Sequence, residues 1–185
     1  MNAQSPADLV SDLYAVTGDI LHKKGEEQET FAAYDSCLQW KDDNVMALNN
    51  YAYYLSEKGV DLHKAESMSY KTIKAEPNNG TYLDTYAWIL FMEERYADAK
   101  IYIDQALKNR DSTADNSTVI EHAGDIYYMN GMADESVDFW KKAYTGENQT
   151  EVLAWKIKNR QYITEEELKK RNAPKQKSVR KGKKK

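Results

Sequence analysis

The stretch EHAGDIYYMNG, residues 121–131, places a glycine inside a segment that otherwise has the composition of a helix. Glycine in a helix interior costs about 1 kcal/mol relative to alanine, so its presence needs a reason. Three other stretches align with this one: AVTGDILHKKG (15–25), NNYAYYLSEKG (49–59) and DTYAWILFMEERY (84–96). The residues aligned with Gly124 are Gly18, Ala52 and Ala87, at intervals of 34, 35 and 37 residues. A small residue is therefore retained at a fixed position of a repeating unit.

Further positions repeat with the same period, twelve or more residues after each small residue. They hold Thr30, Ala65, Ala99 and Ser136, then Tyr34, Ser69, Ile103 and Trp140, then Cys37, Thr72, Ala106 and Ala143. A period near 34 residues is the signature of stacked helical hairpins. We predict that the small residues lie where two helices cross too closely for a larger side chain. The single cysteine, Cys37, falls in this series, and we interpret it as a small buried side chain.

These residues resemble the tetratricopeptide repeat (TPR) consensus. A small residue is followed three positions later by Leu21, Leu55, Leu90 or Tyr127, and Pro77-Asn78-Asn79 follows the second helix of the second repeat. The resemblance covers four repeats, 11–44, 45–79, 80–116 and 117–150. It implies an all-α, right-handed superhelical stack of antiparallel helical hairpins. AEPNNGTYLDTYAWILF and YAYYLSEKG are also similar to the carboxyl-terminal repeats of larger bacterial TPR proteins, often from the cell envelope.

The chain divides into a repeat domain, 1–168, and a basic tail, 169–185. Residues 150–163 are expected to form a capping helix, because the last repeat of a stack exposes an apolar face. Val152, Leu153, Trp155 and Ile157 are the residues that could cover this face. Thr164 is expected to cap a last short helix, EEELKKRN, and from Ala173 onward the chain has little to bury and is expected to be disordered.

The charge of the chain is distributed unevenly. The formal net charge is −4, but from Lys169 onward there are ten Lys and Arg residues and no acidic residue. An acidic body with a basic tail leaves three interpretations open. The tail could improve solubility, could bind nucleic acid or anionic lipid through charge, or could fold back on the acidic body. It contains no aromatic residue for stacking on bases.

The TPR resemblance also implies a concave groove lined by the first helix of each hairpin, which holds peptides or partner helices. Its candidate binding residues here are Tyr53, Asp84, Trp88, Phe91, Met92, Glu121, Asp125 and Tyr128. The aromatic residues and Met92 would bury apolar surface, and the carboxylates would favour a basic ligand with an apolar anchor. The opposite interpretation is that the aromatics pack between repeats and the acids are solvated. Ala15, Asp19, Asp84 and Trp88 stand where the carboxylate-clamp subfamily has Lys, Asn and Arg, so we do not expect a clamp for chaperone tails.

The sequence carries no signal for an enzyme. His22, His63 and His122 are separated by about a repeat or more, and there is no phosphate loop or nucleophile motif. We therefore predict a non-catalytic protein-interaction scaffold without a cofactor. The alternative is a nucleic-acid or anionic-membrane binder that uses the tail. MNAQSPADLV lacks the features of a secretory signal. The location would be cytoplasmic if Met1 is the native start, and the cell envelope if this is a piece of a longer exported protein.

Overall fold

The computed structural model describes residues 5–111 and 116–173. Within these ranges the chain forms ten α-helices and one short 3-10 helix at Gly146–Asn148. The α-helices are α1 (Pro6–Lys24), α2 (Glu27–Trp40), α3 (Val45–Lys58), α4 (Leu62–Ala75), α5 (Gly80–Met92), α6 (Tyr96–Asn109), α7 (Ser117–Met129), α8 (Ala133–Ala143), α9 (Glu151–Asn159) and α10 (Glu165–Asn172). The predicted all-α architecture is confirmed, and the capping helix expected over residues 150–163 is shorter, since α9 ends at Asn159.

The helices pair into four antiparallel hairpins, α1–α2, α3–α4, α5–α6 and α7–α8, which stack in chain order. Local sequence sets several of the ends. Ser5 and Asp8 form a reciprocal capping box at the start of α1, and Asn44 and Asn79 cap α3 and α5. Gly59 ends α3 with a φ of 64°, a left-handed conformation that glycine adopts without strain. The successive first helices α3, α5 and α7 contact one another and form the inner face.

The repeated small residues lie where the two helices of each hairpin cross. All sixteen residues of the four predicted series are buried. A Cβ atom on Gly124 would lie 2.4 Å from Cδ1 of Trp140, and one on Gly18 would lie 2.8 Å from Cε2 of Tyr34. Real Cβ contacts are essentially never this short. Positions 124 and 18 therefore hold glycine because the facing aromatic ring occupies the space that a side chain would need. The packing prediction is confirmed.

Helix α9, which lies in the segment expected to cap the stack, packs against α8. Leu153 of α9 is fully buried against Val137, Trp140 and Ala143 of α8, and Ile157 packs beside them. Trp155 lies instead under the guanidinium of Arg171, at 5.2 Å, which ties α9 to α10. Residues 169–172 of the predicted tail belong to α10, and the stretch from 174 onward lies outside the described residues.

The opposite end of the stack is packed around Cys37. Its Sγ lies 3.2 Å from Oγ of Ser11, and Nδ2 of Asn44 donates to the same Ser11 hydroxyl at 3.0 Å. Burial raises the pKa of the Cys37 thiol. The interpretation of Cys37 as a buried small side chain is confirmed. None of the described helices has the length and apolar character needed to cross a membrane.

Candidate functional site

The inner face of the stack holds a pocket of about 990 Å³ between α3, α5 and α7 on one side and the segment containing α9 and α10 on the other. The inner helices contribute Tyr53, Glu57, Trp88, Met92, Thr118, Glu121, His122 and Asp125. The carboxyl-terminal segment contributes Val152, Lys156, Tyr162, Ile163 and Leu168, among others. The pocket is therefore a section of the groove that α9 and α10 have partly enclosed.

The structure brings five of the eight candidate binding residues to this pocket: Tyr53, Trp88, Met92, Glu121 and Asp125. The other three do not line it. Asp84 is buried next to His122, and Phe91 is buried edge-on against Tyr96 and Tyr162. Tyr128 packs against Trp140, at 5.8 Å between ring centroids.

Trp88 is a half-buried wall of the pocket, and two other rings hold it in place. Its ring centroid lies 4.7 Å from that of Phe91 and 4.0 Å from that of His122, with interplanar angles of 12° and 13°. Met92 follows one turn later and also lines the pocket. The indole is thus fixed before any ligand arrives, which lowers the entropy cost of binding against it.

Lys156 of α9 projects into the inner face and is only 3% exposed. Its Nζ donates to both carboxylate oxygens of Asp125 at 2.8 Å and to Oε1 of Glu121 at 3.0 Å. Asp125 also accepts a hydrogen bond from Nε1 of Trp140, at 2.8 Å. The chain therefore supplies its own cation to the two acids that we expected to favour a basic ligand. Sequence reasoning missed Lys156, because a lysine in an amphipathic helix is nearly always a solvated residue.

His122 and Asp84 form a buried pair across α7 and α5. Nδ1 of His122 lies 3.0 and 3.1 Å from the two carboxylate oxygens of Asp84. Burial alone would lower the pKa of His122, but the charge and hydrogen bond of Asp84 outweigh it, and the pKa is raised. The repeat register contained a signal for this pair. In the fourth repeat, position 121 aligns with Asp84, so residue 122 lies at nearly the same height on the neighbouring helix.

The pocket keeps an excess of negative charge after these pairs are counted. Glu57, Glu151 and Glu165 line it together with Glu121 and Asp125, against the cations Lys156 and Lys169. Glu165 pairs with Lys169 on the same helix. Within residues 5–111 and 116–173, no three His, Cys, Asp or Glu side chains are grouped so that they could hold a metal ion.

Comparison with known proteins identifies the fold. No family model matches the chain. A stretch of 66 residues, 36% of the chain, is 35% identical to a TPR repeat-containing protein of Pseudomonas aeruginosa. The match spans 11% of that relative. The solved structure of PilF from Pseudomonas aeruginosa superimposes with a TM-score of 0.70 at 16% identity, over 84% of this chain and 69% of PilF. The chain has the TPR fold.

Two further solved structures are similar to this chain. YrrB, whose published description is of a TPR protein with an unusual peptide-binding site, superimposes with a TM-score of 0.55 at 17% identity, over 80% of this chain and 74% of YrrB. The O-GlcNAc transferase of Thermobaculum terrenum superimposes with a TM-score of 0.67 at 12% identity, over 77% of this chain but 27% of the enzyme. TPR solenoids as a class present concave binding surfaces and act as protein-interaction scaffolds.

Proposed function

We propose that this TPR chain is a non-catalytic scaffold whose inner-face pocket binds a protein segment that presents an apolar side chain next to Lys or Arg. The observation that carries the proposal is the pocket itself. Ligand sites in proteins typically enclose about 300–1,000 Å³, so a cavity of about 990 Å³ has room for several residues of a peptide.

The apolar part of the ligand would lie against Trp88, Met92 and Leu168. Trp88 and Met92 come from the inner helix α5, and Leu168 faces the same cavity from α10. Aromatic residues and methionine are enriched in protein interfaces, and Trp is among the residues that contribute most to the binding energy. The apolar anchor of the ligand is therefore assigned to the α5 side of the pocket.

The basic part of the ligand would lie near Glu57 and Glu151. Asp125 and Glu121 already accept hydrogen bonds from Lys156, so they are not the acids that an incoming lysine meets. Glu57 lines the pocket from α3, and Glu151 lines it from the first turn of α9, where it is exposed. Exposed carboxylates of this kind mainly raise the association rate and make it sensitive to salt.

The proposal is tested in two steps: a partner is identified by crosslinking from the pocket, and its affinity is then measured after a pocket residue is substituted. A photo-reactive amino acid placed at Met92 should crosslink the partner in the native host. With that partner purified, Met92→Ala should weaken binding about tenfold or more, as truncating a central anchor does. Met46→Ala is the matched control, because Met46 is 47% exposed on α3 and does not line the pocket.

Trp88 is tested by a milder substitution than alanine. Trp88→Ala would also remove the ring contacts to Phe91 and His122, so loss of binding could reflect a disturbed wall. Trp88→Phe keeps an aromatic ring at this position and reduces the area offered to the ligand. Unchanged affinity in both Met92→Ala and Trp88→Phe would place the binding surface elsewhere and refute the proposal.

A further inference from the structure

His122 lies in the wall of the pocket, and only one of its two ring nitrogens, Nδ1, has a hydrogen-bond partner among the described residues. It is 6% exposed and lines the cavity. A carboxylate can only accept hydrogen bonds, so the Nδ1 that contacts Asp84 carries a hydrogen. Among the residues that the structure describes, no hydrogen bond is made by Nε2 of His122. Because His122 lines the cavity, a ligand in the cavity could supply the partner that Nε2 lacks.

We infer that Nε2 of His122 donates a hydrogen bond to a main-chain carbonyl oxygen of the bound segment, while the apolar side chain of that segment lies against Trp88 and Met92. This inference rests on the proposed function and adds the polar contact that orients the ligand. Asp84 is a positioning residue, since it acts on the ligand through His122.

Two contacts fix the imidazole in the orientation that the inference requires. The bidentate approach of Asp84 sets the direction of the ring, and stacking on Trp88 at 4.0 Å sets its plane. The ring of Tyr53 approaches on the α3 side, at 6.3 Å between centroids. A donor that is held in this way loses little freedom on binding.

Charged groups around His122 decide whether Nε2 carries a hydrogen. Asp84 faces it from α5, Tyr53 and Glu57 from α3, Glu121 and Asp125 from its own helix, and Lys156 from α9. Among these groups the carboxylates outnumber the lysine, and Lys156 is engaged with Asp125 and Glu121. This surrounding charge favours the imidazolium form, in agreement with the raised pKa of His122.

The same charges determine which acceptor group of a ligand can bind to Nε2 of His122. A free carboxylate would meet the acids that line the cavity and be repelled, whereas a neutral carbonyl oxygen accepts from Nε2 without that cost. The ligand is therefore an internal peptide segment, not a carboxyl terminus.

The experiment uses a display library of random twelve-residue peptides, selected on the intact chain at pH 6. Selected sequences are synthesised with an amidated carboxyl end and titrated against the wild type, His122→Gln and His63→Gln at pH 6 and pH 8. His63→Gln is the matched control, because His63 is exposed on α4. We expect His122→Gln to bind several-fold more weakly at pH 6, because the glutamine amide offers only a neutral donor where the imidazolium offers a charged one, and charge-assisted hydrogen bonds are roughly twice as strong. Wild-type affinity should fall as the pH rises, and this dependence should be absent in His122→Gln.

A second variant separates recognition from folding. Asp84→Asn removes the charge that favours the imidazolium form, so its affinity should begin to fall at a lower pH than that of the wild type. If the selected peptides bind His122→Gln as tightly as the wild type, or if Asp84→Asn leaves the pH midpoint in place, the inference is wrong. The proposed function survives that result when Met92→Ala weakens the same peptides, and it fails too when no selected peptide is weakened by Met92→Ala.

Discussion

The indole of Trp140 occupies the space that a side chain at position 124 would need, and its Nε1 donates a hydrogen bond to the adjacent Asp125. The first repeat has the same arrangement. The ring of Tyr34 fills the space beside Gly18, and its hydroxyl donates to Asp19. In both hairpins the first helix carries a Gly-Asp pair. The aromatic residue sixteen positions after the glycine fills the space beside it and donates a hydrogen bond to the aspartate. The second and third repeats have Ala52 and Ala87 instead, opposite the smaller Ser69 and Ile103.

Gly124→Ala should destabilise the protein by about 1–3 kcal/mol, because the added Cβ overpacks the crossing of α7 and α8. This is opposite in sign to the usual effect of replacing a helical glycine with alanine, which is stabilising. Urea unfolding followed by circular dichroism measures the difference. The double variant Gly124→Ala with Trp140→Phe should lose less stability than the sum of the two single variants, since the smaller ring leaves room for the methyl group. A Gly124→Ala protein as stable as the parent would contradict the crossing geometry.

Lys156→Met should lower the free energy of unfolding by about 3–5 kcal/mol, because it leaves the buried carboxylate of Asp125 without its cation. Lys158→Met, an exposed change on the same helix, is the control and should have little effect. Adding Asp125→Asn to Lys156→Met should recover part of the loss, since the unpaired charge is then gone. Equal stabilities of Lys156→Met and Lys158→Met would show that the ion pair does not hold α9 on the stack.

The pair of His122 and Asp84 should make stability depend on pH. The raised pKa of His122 means that the folded state holds the imidazole proton more tightly than the unfolded chain does. The stabilisation is fully present below the unfolded pKa of about 6.5 and is lost as the pH rises through the higher folded value. The stability advantage of the wild type over His122→Gln should therefore shrink from pH 6 to pH 9 in urea titrations. An advantage that stays constant or grows over this range would refute the assignment.

Deleting residues 174–185 separates the pocket from the charge-driven alternative. The deletion removes seven Lys and Arg residues. We expect it to abolish any binding to RNA, DNA or anionic vesicles, which should weaken steeply with salt in the intact chain, and to leave peptide capture by the pocket unchanged. Loss of peptide capture on deletion would assign the function to the tail.

The fold could be predicted from the sequence because close helix crossings exclude large side chains, and small residues therefore recur at regular intervals. A helix crossing admits only small residues, so Ala52, Ala87 and Gly124 recur with the repeat. The site was only partly predictable. Periodicity places a residue on a face, but it does not say which partner a charged group selects. Asp84 was assigned to the ligand and contacts His122, and the lysine that pairs with Asp125 comes from outside the repeats.

The buried thiol of Cys37 gives this protein a built-in reporter of its own opening. It is the only cysteine in the chain and has no exposed surface, so a thiol reagent in solution meets no competing site. Reaction requires the packing of α1 and α3 around Cys37 to open, and its rate therefore follows local opening at this end of the stack. Comparing that rate with the global unfolding of the stack would measure how far the repeats at opposite ends act as one cooperative unit.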